Sequence, residues 1–337
     1  MNRVLNFVVG VAFVAQAANA QIDIRGPISN PAPGVLDGVY VQEHIPTKKV
    51  IPYEYIREAD VTWSKRVWRV IDLREKFNHP LYYPLDDLEN GMWKKNTTRW
   101  SLWTIIRYHL MTGDLTLYSP FNPDWENWKD GDLFKYPVTS SISGGNYYND
   151  QVFREKMFIY IGEEKLDPFA EPLKSQVYPD EDSVRMDPTT GMETAVYPPS
   201  DTSWFTSADI VQYRLKEDWF FDKERSVLDV RIIGIAPVIY QKNSSGQIIG
   251  LRELFWLYFP ECRYVFQNFF VQNKDNDAQR MSFDDLFWKR MFQSYIVKET
   301  NLYDRELDTY KAGVDALLEA EKIKDKIFTF EHDLWNF

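Results

Sequence analysis

LRELFWLYFPECRYVFQNFFVQNKDNDAQRMSFDDLFWKRMFQSYIVKE, residues 251–299, places a large apolar area within a short span of chain. Residues 254–259 form an apolar run with no polar break, which predicts a strand buried on both faces. Pro260 and Glu261 follow directly, and both residue types are favoured in the first turn of a helix. The sequence therefore predicts a core strand that turns straight into a helix.

A second helix is predicted within the same stretch. Ser282 has the character of an N-cap, and Asp285 three residues later completes a capping pattern. Phe287, Met291 and Tyr295 then repeat at helical spacing, so this helix should continue to about residue 296. The two segments together supply the nucleus of a hydrophobic core.

Apolar periodicity predicts further elements on both sides of this stretch. Helices are expected over residues 58–76, from Thr98 or Ser101 to residue 111 with Gly113 at the end, over 209–221 and over 303–326; strands are expected over 115–118, 133–138, 152–161 and 227–240. Residues 243–246 form a turn that joins the last of these strands to the core strand. The mixture predicts an α+β fold.

Composition divides the chain into six segments. They are a signal peptide (1–20), an extended Pro-rich arm (21–52), an N-terminal α+β half (53–162), a linker or surface loop (163–201), a C-terminal α+β half (202–300) and a C-terminal amphipathic helix with its tail (301–337). Within the arm, residues 39–41 have the composition of a short strand. An arm of this kind either lies on a partner or neighbouring subunit, or forms a disordered leader.

Residues 1–20 carry the features of a secretory signal. Arg3 gives a positive start, residues 4–14 form an apolar region, and an Ala-Asn-Ala cleavage site ends at Ala20, before Gln21. The apolar run is too short to span a bilayer, and no later stretch suits a transmembrane helix. The sequence therefore predicts an exported, soluble chain that is cleaved between Ala20 and Gln21.

The charge and cysteine content exclude several classes of protein. The formal net charge of −11 argues against a nucleic-acid partner. Cys262 is the one cysteine, so there is no internal disulfide, and we interpret it as a small, partly buried residue rather than a reactive thiol. Aromatic residues make up 16% of the sequence and supply much of the area that a core needs.

The helix predicted over residues 58–76 is basic within an acidic protein. Lys65, Arg66 and Arg69 either pair with carboxylates of the same chain or form a docking face for an acidic partner. These three residues are therefore the candidate partner interface.

No sequence pattern supplies a catalytic, cofactor or metal site. The four histidines are scattered, no His-Glu-x-x-His or Cys–His spacing occurs, and phosphate-binding and nucleophile-elbow motifs do not occur. We expect no catalytic residues, no cofactor and no metal, and therefore not an enzyme. The tryptophans at 93, 100, 103, 125 and 128 leave a periplasmic glycan- or peptidoglycan-binding module as the alternative; otherwise they belong to the core or to subunit interfaces.

Four stretches resemble one known family. They are READVTWSKRVWRVIDLREKFNHPLYYP (57–84), KEDWFFDKERSVLDVRIIGIAPVIY (216–240), LFWLYFPECRYVFQNFF (254–270) and NDAQRMSFDDLFWKR (276–290). In these segments the chain is similar to the gliding-motility family GldN, also called PorN. The likeness covers most of the chain apart from the arm and residues 163–201.

The resemblance implies a structural, non-enzymatic component of the type IX secretion system. Proteins of this family are periplasmic and assemble in rings beneath the outer membrane with the lipoprotein GldK, also called PorK. They also contact the periplasmic part of the motor protein GldM, also called PorM. The family offers no catalytic residues to transfer to this chain.

Overall fold

The computed structural model describes residues 39, 49–89, 92–122, 125–165, 184–186, 193–195, 201–243, 246–273, 276 and 279–333. For residues 125–128, 164–165, 184–186, 193–195 and 201–202 it describes the backbone alone. The predicted signal peptide and almost all of the N-terminal arm lie outside these residues. Cleavage between Ala20 and Gln21 therefore stays a prediction.

The strands range from two residues to sixteen. In chain order they are β1 Val61–Asp72, β2 Asp87–Glu89, β3 Met92–Lys94, β4 Leu117–Tyr118, β5 Phe121–Asn122, β6 Trp125–Lys129, β7 Pro137–Val138, β8 Gly162–Lys165, β9 Val184–Met186, β10 Glu193–Ala195, β11 Asp201–Trp204, β12 Ile210–Asp222, β13 Val227–Lys242, β14 Ile248–Glu253, β15 Trp256–Tyr258, β16 Phe270–Val271, β17 Met281–Ser282 and β18 Tyr295–Glu299.

The helices vary as widely in length. They are α1 His79–Tyr82, α2 Leu102–Thr112, α3 Gln151–Ile161, α4 Phe259–Phe266, α5 Phe283–Trp288 and α6 Val314–Asp333, with short 3₁₀ turns at Glu58–Asp60, Lys76–Asn78, Gly131–Leu133 and Leu307–Thr309. Within the described part of the chain, no helix has both the length and the apolar character that crossing a bilayer requires.

An eight-stranded antiparallel sheet organises these elements and confirms the α+β class. Its order is β18-β1-β12-β13-β15-β4-β7, and β14 pairs with β13 on the same side as β15. The three long central strands pair along most of their length, with Val67 opposite Glu217 and Leu215 opposite Ile235. The sheet joins strands from both sides of residues 163–201, while the predicted division into two halves stays a prediction.

The helix predicted over residues 58–76 is wrong, because these residues form β1. Its sequence is rich in β-branched and aromatic residues, which favour a strand. Residues 67–72 are buried on both faces, as in a central strand. Such a strand has apolar residues at nearly every position, so some of them also match helical spacing by chance. The helix predicted over 209–221 is wrong for the same reason, because it is the central strand β12.

The strand predicted over residues 152–161 is also wrong, because it is helix α3. The side chain of Asp150 accepts hydrogen bonds from the backbone N–H groups of Val152 and Phe153 and so caps the helix. Phe153, Met157 and Ile161, spaced four residues apart, are the buried side chains of the helix. The helical spacing was present, but β-branched and aromatic residues between these positions obscured it.

Several local predictions are confirmed. Ser101 caps α2 and Gly113, at φ 86°, ends it. Residues 256–258 form a strand that leads directly into α4, with Pro260 in the first turn. The turn at 243–246 joins β13 to β14, although the predicted partner strand is divided into β14 and β15.

The second helix of the organising stretch is shorter than predicted. The capping box between Ser282 and Asp285 is present and begins α5. The helix ends at Trp288, and Arg290 then adopts a left-handed φ of 53°, which turns the chain out of the helix. Residues 295–299 join β1 as strand β18 instead.

Among the described residues, three clusters of buried apolar side chains hold the fold; one consists of Trp68, Ala236 and Trp256 on the sheet, and the other two join the sheet to helices. The large cluster joins the sheet to α2, α3, α4 and α5; it includes Ile71, Leu102, Trp103, Tyr213, Phe255, Phe259, Phe266 and Phe287. The small cluster joins β1 and β18 to α6; it consists of Val67, Ile296, Leu307, Ala320, Ile323 and Ile327.

A polar seam lies between the two clusters on the sheet. Val67, Arg69 and Ile71 point to the same face of β1, because residues two apart on a strand share a face. Val67 belongs to the small cluster and Ile71 to the large one, and Arg69 is buried between them. Glu217, opposite Val67, is fully buried and pairs with Arg290 at 2.9 Å. The two clusters are therefore separate units of packing.

Candidate protein–protein interface

Helix α6 packs on the sheet by a narrow stripe. Ala320, Ile323 and Ile327 recur at helical spacing and are its buried residues. Further along the stripe, the ring of Phe330 stacks on Trp63 of β1, with centroids 4.5 Å apart and planes 20° apart. One face of the helix is therefore fixed to the protein.

A second set of apolar side chains on α6 is exposed. Val314, Leu317, Leu318 and Phe328, here called the outer face of α6, are 55–70% exposed. Single exposed apolar residues are common on proteins, but several on one side of a helix indicate a contact with a partner. Leu302, in the segment between β18 and α6, is 92% exposed as well.

The segment before α6 is held firmly, so the outer face has a defined position. Arg214 of β12 lies between two carboxylates, 2.6 Å from Glu253 and 2.6 Å from Glu306. Burial lowers the pKa of Arg214, but these two carboxylates outweigh the burial and leave the pKa raised. Lys298 also pairs with Asp304 at 2.8 Å.

The predicted interface residues Lys65, Arg66 and Arg69 lie on β1 and are already bonded within the chain. Lys65 and Arg69 share one face, whereas Arg66 points to the other, because side chains alternate along a strand. The docking face that a helix would have formed is therefore divided between the two faces of the sheet.

Each of these cations has its own partner. Lys65 pairs with Glu299 at 3.1 Å, and the guanidinium of Arg66 donates two hydrogen bonds to Asp218, at 2.6 and 2.7 Å. The hydrogen bond that Arg66 donates to the Asp218 carboxylate raises the pKa of Arg66. Arg69 donates to Ser294, and burial lowers its pKa. A role of the three residues in binding a partner stays a prediction.

Tyr53 makes an anchor that the sequence did not reveal. Its ring lies 4.5 Å from the guanidinium carbon of Arg263 and stacks on Trp288 with centroids 5.8 Å apart. Arg263 is buried and bonded to Asp284 at 2.8 Å. Burial raises the pKa of Tyr53 to about 12. We call these four residues the Tyr53 anchor; they line a cavity of about 150 Å³ and fix the chain where the arm meets the fold.

The tryptophans of the glycan-binding alternative are mostly inward-facing where they are described. Trp100 and Trp103 are buried, and the indole N–H of Trp103 donates to the carbonyl of Phe205 at 3.0 Å. Trp93 is half-buried, and its ring lies 4.1 Å from the guanidinium carbon of Arg107. The side chains of Trp125 and Trp128 lie outside the described residues.

Cys262 and His109, the other residues with reactive side chains considered above, are both packed inside the protein. Cys262 is buried in the large cluster, and burial raises the pKa of its thiol, so it is a packed residue. His109 is buried and bonded to Asp114 at 2.7 Å. Among the described residues, no group of three or more His, Cys, Asp or Glu side chains is placed to hold a metal ion.

Comparison with known proteins gives one family. The model of the family described as gliding motility associated protein GldN matches residues 56–336. The match includes β1, the whole of the sheet and α6, and it begins just after Tyr53. No curated protein matches the sequence.

Proposed function

The chain belongs to the GldN family of gliding motility associated proteins, and from this premise we propose that it is a structural, non-enzymatic subunit of a periplasmic ring in the type IX secretion and gliding machinery. Its ring partners are further copies of itself and an outer-membrane lipoprotein of the GldK or PorK type. A GldM- or PorM-type motor protein is the partner that couples the ring to the inner membrane.

The predicted signal peptide agrees with a periplasmic location. In this proposal the chain associates with the outer membrane peripherally, through the lipoprotein partner. The signal features of residues 1–20 support export, and the family supports the machinery.

The observation that carries the proposal is the outer face of α6. Its four apolar side chains lie in water in the isolated chain and share one side of a single helix, opposite the buried Ala320, Ile323 and Ile327. The core of a stable interface is apolar and rich in aromatic residues, and Phe328 with its neighbours has this composition. We therefore assign the outer face of α6 to the contact with the lipoprotein.

The test is co-purification of the chain with the lipoprotein from the membrane fraction. In the double variant Leu317→Glu/Leu318→Glu, we expect the fold to be retained, because both side chains are more than half exposed, and the complex to be lost. The matched control is Thr97→Glu/Thr309→Glu, which adds the same charge at exposed polar positions outside the outer face of α6.

The two variants separate the outcomes. Loss of the complex in the leucine variant but not in the threonine variant supports the assignment. Full binding by both removes the outer face of α6 from the interface. If the unaltered chain never binds the lipoprotein, the ring function itself is overturned.

A further inference from the structure

Strand β14 leaves one edge of the sheet open. It pairs with β13 from Val238 opposite Glu253 to Lys242 opposite Ile248, and no strand of the described residues pairs with its other edge. β15 continues beside β13, but its outer edge is covered by β4. About half of the N–H and C=O groups of an antiparallel edge strand point away from its one partner, and these can pair with an added strand.

Residues 248–251 of the open edge carry no charged side chain and no proline, two of the features that protect such strands. Residues 248–253, Ile-Ile-Gly-Leu-Arg-Glu, contain no proline and no lysine. Ile248, Ile249 and Leu251 are 43–61% exposed, on both faces of the strand. The guanidinium of Arg252 donates to the carbonyl of Ile159 at 3.4 Å, so its charge is drawn towards α3. The strand thus presents an apolar edge to its surroundings.

A groove of about 550 Å³ lies at the end of this edge. Its walls come from β14, from the segments around β5 and β7, and from α3; they include Phe121, Val138, Ile159, Tyr160, Arg252 and Leu254. An extended peptide that adds to a sheet edge gains affinity from main-chain hydrogen bonds and specificity from pockets for its side chains. The open edge and the groove together are suited to such a peptide.

The chain itself contains a segment with the matching composition. Residues 35–42, Val-Leu-Asp-Gly-Val-Tyr-Val-Gln, include the predicted strand at 39–41 and are rich in β-branched and aromatic residues. Val39 is 98% exposed in the isolated chain and so has no partner there that buries it. Asp37 also offers a negative charge to Lys242, an exposed residue opposite Ile248 at one end of the paired β13–β14 segment.

We propose that residues 35–42 of one copy add as a strand to the open edge of β14 in a neighbouring copy, with their side chains in the groove. The inference deepens the proposed ring function and rests on it. A donor segment and an acceptor edge are different surfaces, so the contact repeats head to tail, as a closed ring requires.

The geometry favours a neighbouring copy over the same chain. The Tyr53 anchor lies against Arg231 of β13, with the guanidinium carbon 5.1 Å from the Tyr53 ring, and the β14 pairing is centred near Tyr240, roughly 30 Å further along the strand. The eleven residues from Gln42 to Tyr53 span at most about 37 Å. β15 pairs with β13 at Gly234 and Ile235, between the two points, so the chain's own arm would have to pass over it. The limit of about 37 Å leaves little slack for that detour, whereas a neighbouring copy can place its β14 edge close to the arm.

The test uses cysteine cross-linking in the assembly of full mature chain with the lipoprotein. Two single variants, Val39→Cys and Ile249→Cys, carry tags of different mass and are mixed before oxidation. We expect a disulfide-linked pair that contains one copy of each. The matched control replaces Ile249→Cys by Ile142→Cys, since Ile142 is equally exposed, at 58% against 61%, but lies away from β14 in the chain; that mixture should not cross-link.

A second pair of variants tests the pairing without cysteines. Val39→Pro/Val41→Pro removes two main-chain donors from the arm segment, and Asp23→Pro/Arg25→Pro places the same change outside it. Both pairs precede residue 49, where the continuous description of the chain begins. We expect the first to lose self-association but keep binding of the lipoprotein, and the second to keep both.

The outcomes distinguish this inference from the proposed function. A disulfide within single chains of the double variant Val39→Cys/Ile249→Cys, with none between mixed copies, overturns the neighbour assignment. Unchanged self-association of Val39→Pro/Val41→Pro overturns the strand addition while the ring function stands. A chain that binds no lipoprotein in any form overturns the ring function instead.

Discussion

Helices α2 and α6 pack on the same protein in opposite ways. Nine of the eleven residues of α2 are buried, among them the polar Thr104 and Arg107. Of the twenty residues of α6, three are buried, and four of its large apolar side chains are more than half exposed. The large cluster buries almost the whole of α2, whereas the small cluster buries only one face of α6. We therefore expect the large cluster to determine stability and the outer face of α6 to determine assembly.

The same substitution in the two regions should have the most unequal effects. Phe266 is fully buried between Phe259 and Phe287, so Phe266→Ala should lower the free energy of unfolding by about 3–5 kcal/mol. Phe328→Ala, at 67% exposure, should change it by less than about 0.5 kcal/mol. Urea unfolding followed by tryptophan fluorescence measures both. Equal losses would remove the contrast between the large cluster and the outer face of α6.

A substitution in the small cluster tests whether α6 is attached by its narrow stripe. Ile323 is 2% exposed beneath the helix, so Ile323→Ala should cost about 2–3 kcal/mol, near the lower limit for such changes, because few neighbours surround it. Hydrogen exchange should then show faster opening of α6 with the sheet unchanged. Uniformly faster exchange across the sheet would instead make the two clusters one cooperative unit.

Substitution of Ser282, the N-cap of α5, tests a hydrogen bond that supports the large cluster and not its apolar packing. The hydroxyl of Ser282 accepts a hydrogen bond from the N–H of Asp285 and begins α5, so Ser282→Ala should lower the free energy of unfolding by about 1 kcal/mol. Ser282→Thr, which keeps the hydroxyl, is the control and should restore most of the loss. No difference between the two variants would show that the cap is dispensable.

The smallest effect is expected at the predicted basic interface. Lys65 is a partly exposed partner of Glu299, so Lys65→Ala should change stability by about 0–1 kcal/mol. If the outer face of α6 carries the lipoprotein contact, binding should also be unchanged. A clear loss of binding without a loss of stability would return Lys65 to the interface. Arg69 cannot serve this test, because it is buried and its replacement would disturb the fold.

The sequence predicted what depends on near neighbours. The caps at Ser101 and Ser282, the left-handed Gly113 and the turn before β14 each follow from a few adjacent residues, and each is confirmed. β1 and β12 were mistaken for helices because a strand buried on both faces has no alternation to reveal it. Their identity comes from pairing with each other across about 150 residues of chain.

The candidate site shows the same limit. An amphipathic C-terminal helix was predicted over residues 303–326 and is present, but it runs from Val314 to Asp333. Its exposed face could not be told from its buried one without the sheet. Lys65 and Arg66 suggested an interface because Glu299 and Asp218, far along the chain, could not be assigned to them. The Tyr53 anchor combines Tyr53 with residues of α4 and α5, far along the chain, so no local sequence pattern could predict it.

The Tyr53 anchor has a mechanical consequence. A load applied to the N-terminal arm would meet the Tyr53 ring, held between a guanidinium and an indole, before it reached any flexible connection. Arg263 belongs to α4 and Trp288 to α5, and both helices pack in the large cluster. The force would therefore pass to the large cluster and not to α6. A subunit tethered by its arm could thus be pulled by one neighbour without releasing its hold on another.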